Sequence, residues 1–368
     1  MPSAHFCATY VEARERFDIA AKSRGMTLQS HVHPTARGAQ GEELAIDVAC
    51  MGTAGADAVL VLISGTHGAE GFCGSGAQVG LLHDDRFVHA AMASGARIVM
   101  VHALNPYGFS HLRRTNEDNI DLNRNFRNFS TPPPVNAAYA GIHDFIVPSS
   151  WPPGPEDDAR LQAYVARHGM PALQAAVTGG QCDHPDGLFY GGVRPAWSNG
   201  ILRQVLREEG GRCQTLGWID FHTGLGPRGH GELIFAGGNE DDADLARTRQ
   251  WWGPSVTSFV DGTSTSAPLT GVNFQAVADE CPQAAYAGIA LEYGTLPMLD
   301  VLNALRADQW LENTRDVPAG VHAAIKRQVR DAFYQDADDW KVMVYDQALA
   351  STMAAFAAIA NASTSHSR

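Results

Sequence analysis

The stretch VLVLISGTHGAEGFCGSG, residues 59–76, decides the fold of this chain of 368 residues. It opens with five apolar residues, as a strand buried on both faces does. It then places His67 and Glu70 three positions apart among glycines. Ligands of open α/β sheets bind at the carboxyl ends of the strands. We therefore expect such a sheet, with a functional site at the end of this strand.

Composition limits the classes of function. The chain is 45% hydrophobic and 18% charged, which is enough for a large core, and its net charge of −13 argues against a nucleic-acid partner. The amino-terminal residues lack the basic and apolar regions of a leader, and no run reaches about 18 uncharged apolar residues. We expect a cytoplasmic protein with no membrane partner. The six cysteines form no C-x-x-C pair, which argues against a thiolate metal site.

Further strand-like runs follow along the chain, namely RIVMVHAL, TLGWIDF and YAGIALEY. They alternate with amphipathic segments such as NGILRQVLREEG and DADLARTRQWW, which predicts an α/β sheet covered by helices. Residues 131–158 are rich in proline and predict a long surface excursion beside a site. We expect a single domain, residues 1–362, that contains this insertion, followed by a frayed tail at 363–368.

Polar residues follow four of the apolar runs, in SGTHGAE, HALNPYGF, DFHTGLG and EYGT. His67 and Glu70 can face the same side of a turn, and His222 would complete a zinc site of two histidines and one carboxylate with an open position for water. Taken singly, each signal is weak, because H-x-x-E recurs by chance and Glu292 could be a salt-bridged strand end. The glycines after Glu70 are not followed by Lys-Ser/Thr, so a phosphate-binding loop is not supported.

The ordered set is more specific than its parts. THGAE, NPYGFSHLRRTNEDNIDLNRNF, DFHTG and LEYGT together resemble the signature of the zinc carboxypeptidase superfamily, above all its bacterial branch of uncharacterised metallopeptidase-like proteins. The phrases YVEARERF, GLFYGG and PAWSN extend the resemblance over nearly the whole chain. It implies an α/β fold with a mixed, mostly parallel twisted sheet covered by helices on both faces.

The resemblance also implies a metal centre and its chemistry. His67, Glu70 and His222 would hold zinc, which lowers the pKa of a bound water and polarises an amide carbonyl. Glu292 would act as the general base that accepts the water's proton. Arg114, or less favourably its neighbour Arg113, would stabilise the oxyanion.

The resemblance also implies roles for three further residues of the same motif. Asp121 would hydrogen-bond a ligand imidazole, and Asn123 and Arg124 would grip a substrate carboxylate. For Arg124 alone a capping and turn network would be the favoured explanation, and within this motif the substrate-binding role is favoured. The implied activity is zinc-dependent hydrolysis of peptide bonds, carboxypeptidase-like, on a peptide or small amide substrate.

The chain departs from the family pattern at two points. Glu70 and His222 are 152 residues apart, more than we expect for the secreted digestive members, and the proline-rich insertion falls inside this interval. The segment DGTSTSAPLTGVNF contains no tyrosine to match the mobile tyrosine of those enzymes' substrate loop. The nature of the substrate pocket is therefore left open.

Two other functions stay open at this stage. A zinc-dependent deacylase of small N-acyl amino acids would carry the same residues, and an inactive metal-binding scaffold is disfavoured because Glu292 is present. No G-x-S-x-G or H-E-x-x-H pentapeptide occurs, which argues against a serine hydrolase and a metalloprotease of the latter type. The sequence leaves open the substrate preference, the oligomeric state, and a second metal assisted by Asp220 or His230.

Overall fold

A computed structural model describes residues 2–237 and 242–366 of the chain. The strands are β1 Thr27–Arg37, β2 Glu43–Met51, β3 Ala58–Ile63, β4 Arg97–His102, β5 Thr215–Arg228, β6 Gly231–Phe235 and β7 Ala285–Gly294. The α-helices are α1 Tyr10–Ser23, α2 Gly71–His83, α3 Asp85–Ser94, α4 Pro106–Ser110, α5 Ala137–Ala140, α6 His143–Ile146, α7 Pro155–His168, α8 Met170–Thr178, α9 Trp197–Val205, α10 Asp242–Trp252, α11 Gln275–Glu280, α12 Met298–Asn313, α13 Ala319–Phe333 and α14 Asp338–His366.

The strands form one mixed sheet in the order β1-β2-β4-β3-β5-β7-β6. The four central strands, β4, β3, β5 and β7, run parallel, whereas β1, β2 and β6 pair antiparallel with their neighbours. The carboxyl ends of the central strands therefore meet at one edge, as the sequence predicts. The predicted class, a mixed α/β sheet with a parallel centre, is confirmed.

The central strand β3 is apolar throughout because both of its faces are covered. Leu60 and Leu62 pack in a cluster with residues of α1, α2, α3 and α14 on one face of the sheet. Val59, Val61 and Ile63 alternate with them and pack with residues of α9 and α11 on the other face. Because successive side chains of a strand point to opposite faces of the sheet, alternate residues of β3 pack in two different hydrophobic cores.

The proline-rich insertion is more ordered and more buried than predicted. It contains the short helices α5 and α6, and α7 begins inside it at Pro155. Tyr139, Phe145 and Ile146 are buried in a cluster with residues of α8, α12 and α13. The prediction of a surface excursion is therefore wrong for these residues, because their large apolar side chains are removed from water. Prolines do exclude helix over residues 131–136.

The last helix, α14, continues to His366, so the predicted tail at 363–368 begins inside it and residues 367–368 lie outside the described part. Its segment Asp338–Ala362 has a mean hydropathy of 1.4 over 18 residues and is long enough to cross a membrane. Half of that window is buried inside the protein. Because core helices pass the same test, α14 alone does not indicate a membrane span.

Candidate metal centre

The parallel centre of the sheet brings the predicted site residues together at its carboxyl edge. His67 follows β3, and Glu70 ends the single turn of 3₁₀-helix Gly68–Glu70 that leads into α2. His222 lies in β5 directly opposite Glu292 of β7. Two residues more than 200 positions apart in the chain, His67 and Glu292, thus lie at the same edge of the sheet.

The loop that carries His67 is fixed by a second loop. The backbone N–H groups of Gly68 and Ala69 donate to the carbonyl oxygens of Arg114 and Arg113, at 3.2 and 2.7 Å. A Cβ on Gly68 would lie 1.9 Å from the carbonyl carbon of Gly108, so only glycine fits there. The interlocked loops set the position of Arg114 relative to His67.

His67, Glu70 and His222 form a compact buried cluster. The Nδ1 atom of His67 lies 2.8 Å from Oε1 of Glu70, and Nδ1 of His222 lies 3.0 Å from Oε2 of the same carboxylate. Their potential ligand atoms all lie within 4.8 Å of one another. The structure therefore contains the cluster of donors that the sequence predicts for the metal.

A further carboxylate faces the outer nitrogen of each imidazole. Nε2 of His222 lies 2.9 Å from Asp220, and Nε2 of His67 lies 3.3 Å from Asp121. Histidine ligands of metals donate their other N–H to such groups, which fixes the tautomer. Asp121 lies beside His67 and Asp220 lies beside His222, and a role of Asp121 in orienting the imidazole stays a prediction.

The surroundings of His222 test whether the cluster fits a cation. Both ring nitrogens face carboxylate oxygens, so a neutral imidazole can donate to only one of them. The other contact requires a second proton or a metal ion. Burial lowers the pKa of His222, but Asp220 and Glu70 outweigh it and raise that pKa well above its usual value. Two nitrogens and one carboxylate, surrounded by negative charge, fit zinc.

The carboxylate of the cluster stays ionised. Burial alone raises the pKa of Glu70, but the charge on His67 and the hydrogen bond from His222 leave this pKa far below its usual value. The backbone N–H of Thr223 also donates to Oε2 of Glu70, at 3.1 Å. Glu70 is therefore available as an anionic ligand.

The structure distinguishes the two candidate arginines. Arg114 reaches into the cluster, with Nη1 at 3.2 Å from Glu70 and Nε at 2.9 Å from Asp121. Its Nη2 lies 2.8 Å from Nε2 of His67, a hydrogen bond only in the tautomer that has its proton on Nδ1. Arg113 points away and pairs with Asp308 at 3.1 Å. Of these two arginines, Arg114 lines the cavity described below and Arg113 does not.

Sequence reasoning missed the residues that hold Asp220. The hydroxyl of Thr66 donates to Asp220 at 3.0 Å, and Nδ2 of Asn273 donates to it at 2.6 Å. The backbone N–H of Asn273 donates to Oδ1 of Asn123, at 3.0 Å. Thr66 directly precedes His67, and Asp220 lies two residues before His222, so nearness to a predicted ligand could have identified both residues. Asn273 is far in sequence from every predicted ligand, so no such pattern could have identified it.

His230 is exposed in the turn between β5 and β6 and does not line the cavity.

Glu292 lies beside the cluster and belongs to the lining of the cavity. Its Oε1 accepts a hydrogen bond from the backbone N–H of Leu225, at 2.9 Å. Burial, and secondly the negative charge of Glu70, raise the pKa of Glu292 to about 8. A carboxyl group in this environment can exchange a proton near neutral pH.

Asn123 and Arg124 lie on the single turn of 3₁₀-helix Leu122–Arg124, which Asp121 caps through its bond to the N–H of Asn123. The guanidinium of Arg124 donates to the backbone carbonyls of Thr178 and Asn123. Burial lowers the pKa of Arg124 to about 10. Among the described residues, no carboxylate forms an ion pair with Arg124, so the cavity holds a buried cation without an anionic partner at contact distance.

A cavity of about 170 Å³ joins these residues. His67, Glu70, His222, Glu292 and Arg124 contribute polar groups to its wall. The remaining wall is largely apolar and includes Leu173, Val177, Phe259, Val301, Leu302 and Phe333. The cavity therefore combines a metal-binding cluster, a cation and a surface suited to an apolar group.

Comparison with known families now identifies the chain. Residues 6–347 match the model of a family described as a protein of unknown function, DUF2817. The chain belongs to this family. The match confirms the predicted membership of an uncharacterised family. A search of curated proteins finds no match.

Several solved structures are similar to this DUF2817 member. They are bovine thrombin-activatable fibrinolysis inhibitor (TM-score 0.40, 10% identity, 94% of this chain and 98% of that chain), a metallo-carboxypeptidase from Burkholderia cenocepacia (0.36, 12%, 91% and 69%) and a succinylglutamate desuccinylase/aspartoacylase from Rhodobacter sphaeroides (0.37, 15%, 83% and 64%). The chain spans 60% of the length of a further match, from Shewanella denitrificans. At these identities a likeness concerns the fold alone.

Proposed function

We propose that this protein is a zinc-dependent hydrolase that cleaves the peptide bond before a C-terminal residue with an apolar side chain. One observation carries the proposal. His222, which sits between the carboxylates of Glu70 and Asp220, lines the same cavity as Arg124, a buried cation without a carboxylate partner among the described residues. A metal cluster and an anion-binding group in one cavity suit a substrate with a free carboxylate near its scissile bond.

The residues of the cluster divide the chemistry between them. Zinc held by His67, Glu70 and His222 would acidify a water molecule and polarise the amide carbonyl. Glu292, which lines the same cavity, would accept the proton of the attacking water and deliver it to the departing amine. Arg114 provides N–H donors beside Glu70 that stabilise negative charge developing on the carbonyl oxygen.

The cavity supports the choice of substrate. Arg124 and the side chain of Asn123 bind the terminal carboxylate, since a planar fork of donors matches two oxygens. The side chain of the C-terminal residue contacts the apolar wall around Leu173, Val301 and Phe333. A charged side chain would lose its hydration there without a matching ion pair, so apolar residues are preferred.

The test compares a peptide that ends in leucine or phenylalanine with its C-terminal amide. We expect the zinc-loaded protein to cleave the acid at least roughly 30-fold better in kcat/KM, because losing one partner of a buried charge pair costs about 2–5 kcal/mol. In Arg124→Ala the preference for the acid should largely disappear. The measurement is the initial rate of release of the terminal residue.

Arg127→Ala is the matched control. Arg127 stacks on Phe129 at 4.1 Å, three residues beyond Arg124, and does not line the cavity. It should keep the preference of the native protein. Equal cleavage of acid and amide by the native protein would contradict the carboxypeptidase assignment and leave the metal centre untouched.

Deacylation of small N-acyl amino acids is the second candidate, because such a substrate also offers a carboxylate and an apolar side chain. The favouring observation is the limited size of the cavity, about 170 Å³. N-acetyl-leucine and a tripeptide that ends in leucine share the carboxylate and the side chain. A higher kcat/KM for the acetyl compound would favour the deacylase, whereas the peptidase predicts the opposite order.

A further inference from the structure

A second group of metal-ligating side chains lies outside the cavity, in the long segment between Glu70 and His222. His143 of α6 and His184 stack with ring centroids 3.9 Å apart and an angle of 23° between their planes. Nε2 of His143 lies 3.8 Å from Oδ1 of Asp186. One potential ligand atom from each of the three residues lies within 4.8 Å of the others, as in the first cluster.

A tight turn brings His184 and Asp186 together. In the sequence HPDG, residues 184–187, the backbone N–H of Gly187 donates to the carbonyl oxygen of His184, at 2.9 Å. Proline at the second position and glycine at the fourth are typical of such a β-turn. The buried side chain of Gln181 holds the turn through bonds to the N–H and C=O of His184, at 2.7 and 2.8 Å. The position of His184 is therefore fixed by the backbone.

His143 is oriented as metal-binding histidines are. Its Nδ1 lies 3.4 Å from the hydroxyl of the buried Tyr139, which also accepts the N–H of Leu188 at 2.7 Å. In the tautomer that carries its proton on Nδ1, directed at Tyr139, the lone pair lies on Nε2, the atom that faces Asp186.

We propose that His143, His184 and Asp186 form a second binding site for a divalent transition metal of the zinc type. Two imidazoles and a carboxylate suit this class of ion, and water completes its coordination because the carboxylate is largely exposed. The inference does not depend on the proposed function of the cavity.

The site would join the insertion, through His143, to the turn at residues 184–187. α6 packs in the cluster of α12 and α13, and the turn at 184–187 leads directly to Phe189. The ring of Phe189 lies under the guanidinium groups of Arg114 and Arg124, at 4.6 and 5.5 Å. A metal ion on His143 and His184 would hold the segment that supports both arginines, which gives it a structural role beside the first metal centre.

The test is the zinc stoichiometry of the metal-stripped, full-length protein, measured by equilibrium dialysis and plasma-emission analysis. We expect two equivalents in the native protein at saturation. One equivalent should remain in His143→Ala and in His184→Ala, and two in His168→Ala, which removes an exposed histidine of α7. The double variant His67→Ala/His222→Ala should keep one equivalent, bound by the second site.

Cobalt gives an independent readout, because its visible spectrum reports the ligands. Titration of the double variant with Co²⁺ should produce a saturable visible absorption that is lost when His184→Ala is added. A native protein that binds one equivalent only, or a second equivalent that survives in both His143→Ala and His184→Ala, would overturn the proposal. Circular dichroism of each variant verifies that it is folded.

Discussion

At the scale of single residues, His222 is the centre of the site because it links two carboxylates. The carboxylates of Asp220 and Glu70 lie 2.9 and 3.0 Å from Nε2 and Nδ1 of His222. Carboxylates on both sides favour additional positive charge on or beside the imidazole. A metal ion bound to Nδ1 would supply this charge without a second proton. The cluster is thus built for a cation by its charges as well as its geometry.

The first prediction concerns the ligands. Replacing His67 or His222 by alanine removes one of three protein ligands, so either variant should lose most of the zinc in the cavity. His111→Ala is the control, since this half-buried histidine lies outside the cluster and its Nε2–H donates to the carbonyl of Arg37, at 3.0 Å. Plasma-emission analysis measures the zinc content of each variant and of the native protein. Both variants also carry His184→Ala, so that zinc bound at the second cluster does not contribute. Unchanged zinc content there would refute the assignment.

Glu292 is expected to transfer a proton without binding the metal. Glu292→Gln keeps the hydrogen bond from Leu225 but cannot accept the proton, so kcat should fall by roughly 10²–10⁴-fold. Zinc content should stay the same. If the metal is lost instead, Glu292 is a ligand, and an unaltered kcat removes it from the mechanism.

Asn273 is predicted to position the metal centre through Asp220. Asn273→Ala removes the 2.6 Å hydrogen bond that orients this carboxylate, so the zinc affinity should fall by roughly 10- to 100-fold. Gln283→Ala, at the amino end of β7, should leave it unchanged. Competition with a chromophoric chelator measures both affinities. Equal values for the two variants would show that Asp220 needs no support from Asn273.

The residues of this site differ in how far the sequence could reveal them. His67 and His222 could be found because each follows or lies in an apolar strand, and strand ends converge. The choice between Arg113 and Arg114 could not be made, since neighbours in a loop point in different directions according to tertiary partners such as Asp308. Asn273 was missed because a loop asparagine has no pattern that predicts its contact with a residue 53 positions away.

At the scale of elements, the buried strands were predictable and the edges were not. β3, β4, β5 and β7 are continuous apolar runs, whereas β1 alternates polar residues along an exposed edge and β6 has only five residues. Edge strands lack the long apolar signal because one side of them meets water. The helices α5 and α6 were hidden by the prolines around them, although Phe145 and Ile146 are buried.

A charge cluster between elements predicts a pH dependence of stability. Asp308 of α12 contacts Lys326 of α13 at 2.7 Å and Arg113 at 3.1 Å, and all three are buried. Burial raises the pKa of Asp308, but the two cations outweigh it and leave this pKa below its usual value. The ionised group therefore stabilises the fold above its unfolded pKa of about 3.9, and this contribution is lost as the pH falls further.

Asp308→Asn should reveal this contribution. At pH 7 the variant should lose about 1–3 kcal/mol in free energy of unfolding, because two buried cations lose one carboxylate partner and keep only Glu312. The difference from the native protein should shrink below about pH 4, because the unfolded chain then binds a proton at Asp308 that the folded protein, with its lower pKa, binds only at a still lower pH. Urea unfolding at pH 7, 5 and 3.5 measures it, with the exposed Asp331→Asn as control. A difference that is constant over this range would contradict the prediction.

At the scale of the whole molecule, the first metal centre exists only in the folded chain. Its ligands come from β5 and from the loop after β3, and 152 residues separate Glu70 from His222. The unfolded chain has no such cluster, so we expect zinc to bind mainly the native state and to add its binding energy to stability.

This argument predicts that zinc raises the midpoint of thermal unfolding. At a free concentration of 100 times the dissociation constant, one bound ion adds about 2.7 kcal/mol. The effect should persist in His184→Ala and vanish in His67→Ala/His222→Ala/His184→Ala. Differential scanning calorimetry with and without zinc tests it. An equal shift in the triple variant would mean that zinc stabilises the protein elsewhere.

The contact between Gly68 and Gly108 has a consequence for anyone who wishes to redesign this protein. A side chain at position 68 would strike backbone atoms of Gly108 and Phe109, and one at position 108 would strike atoms of Asn105, Arg113 and Thr115 in its own loop. Mutagenesis libraries that place a side chain at either glycine would mostly yield proteins that do not fold. Paired libraries that exchange residues 64–70 and 104–115 as a unit from another family member would keep the match, and they offer a practical route to new specificities.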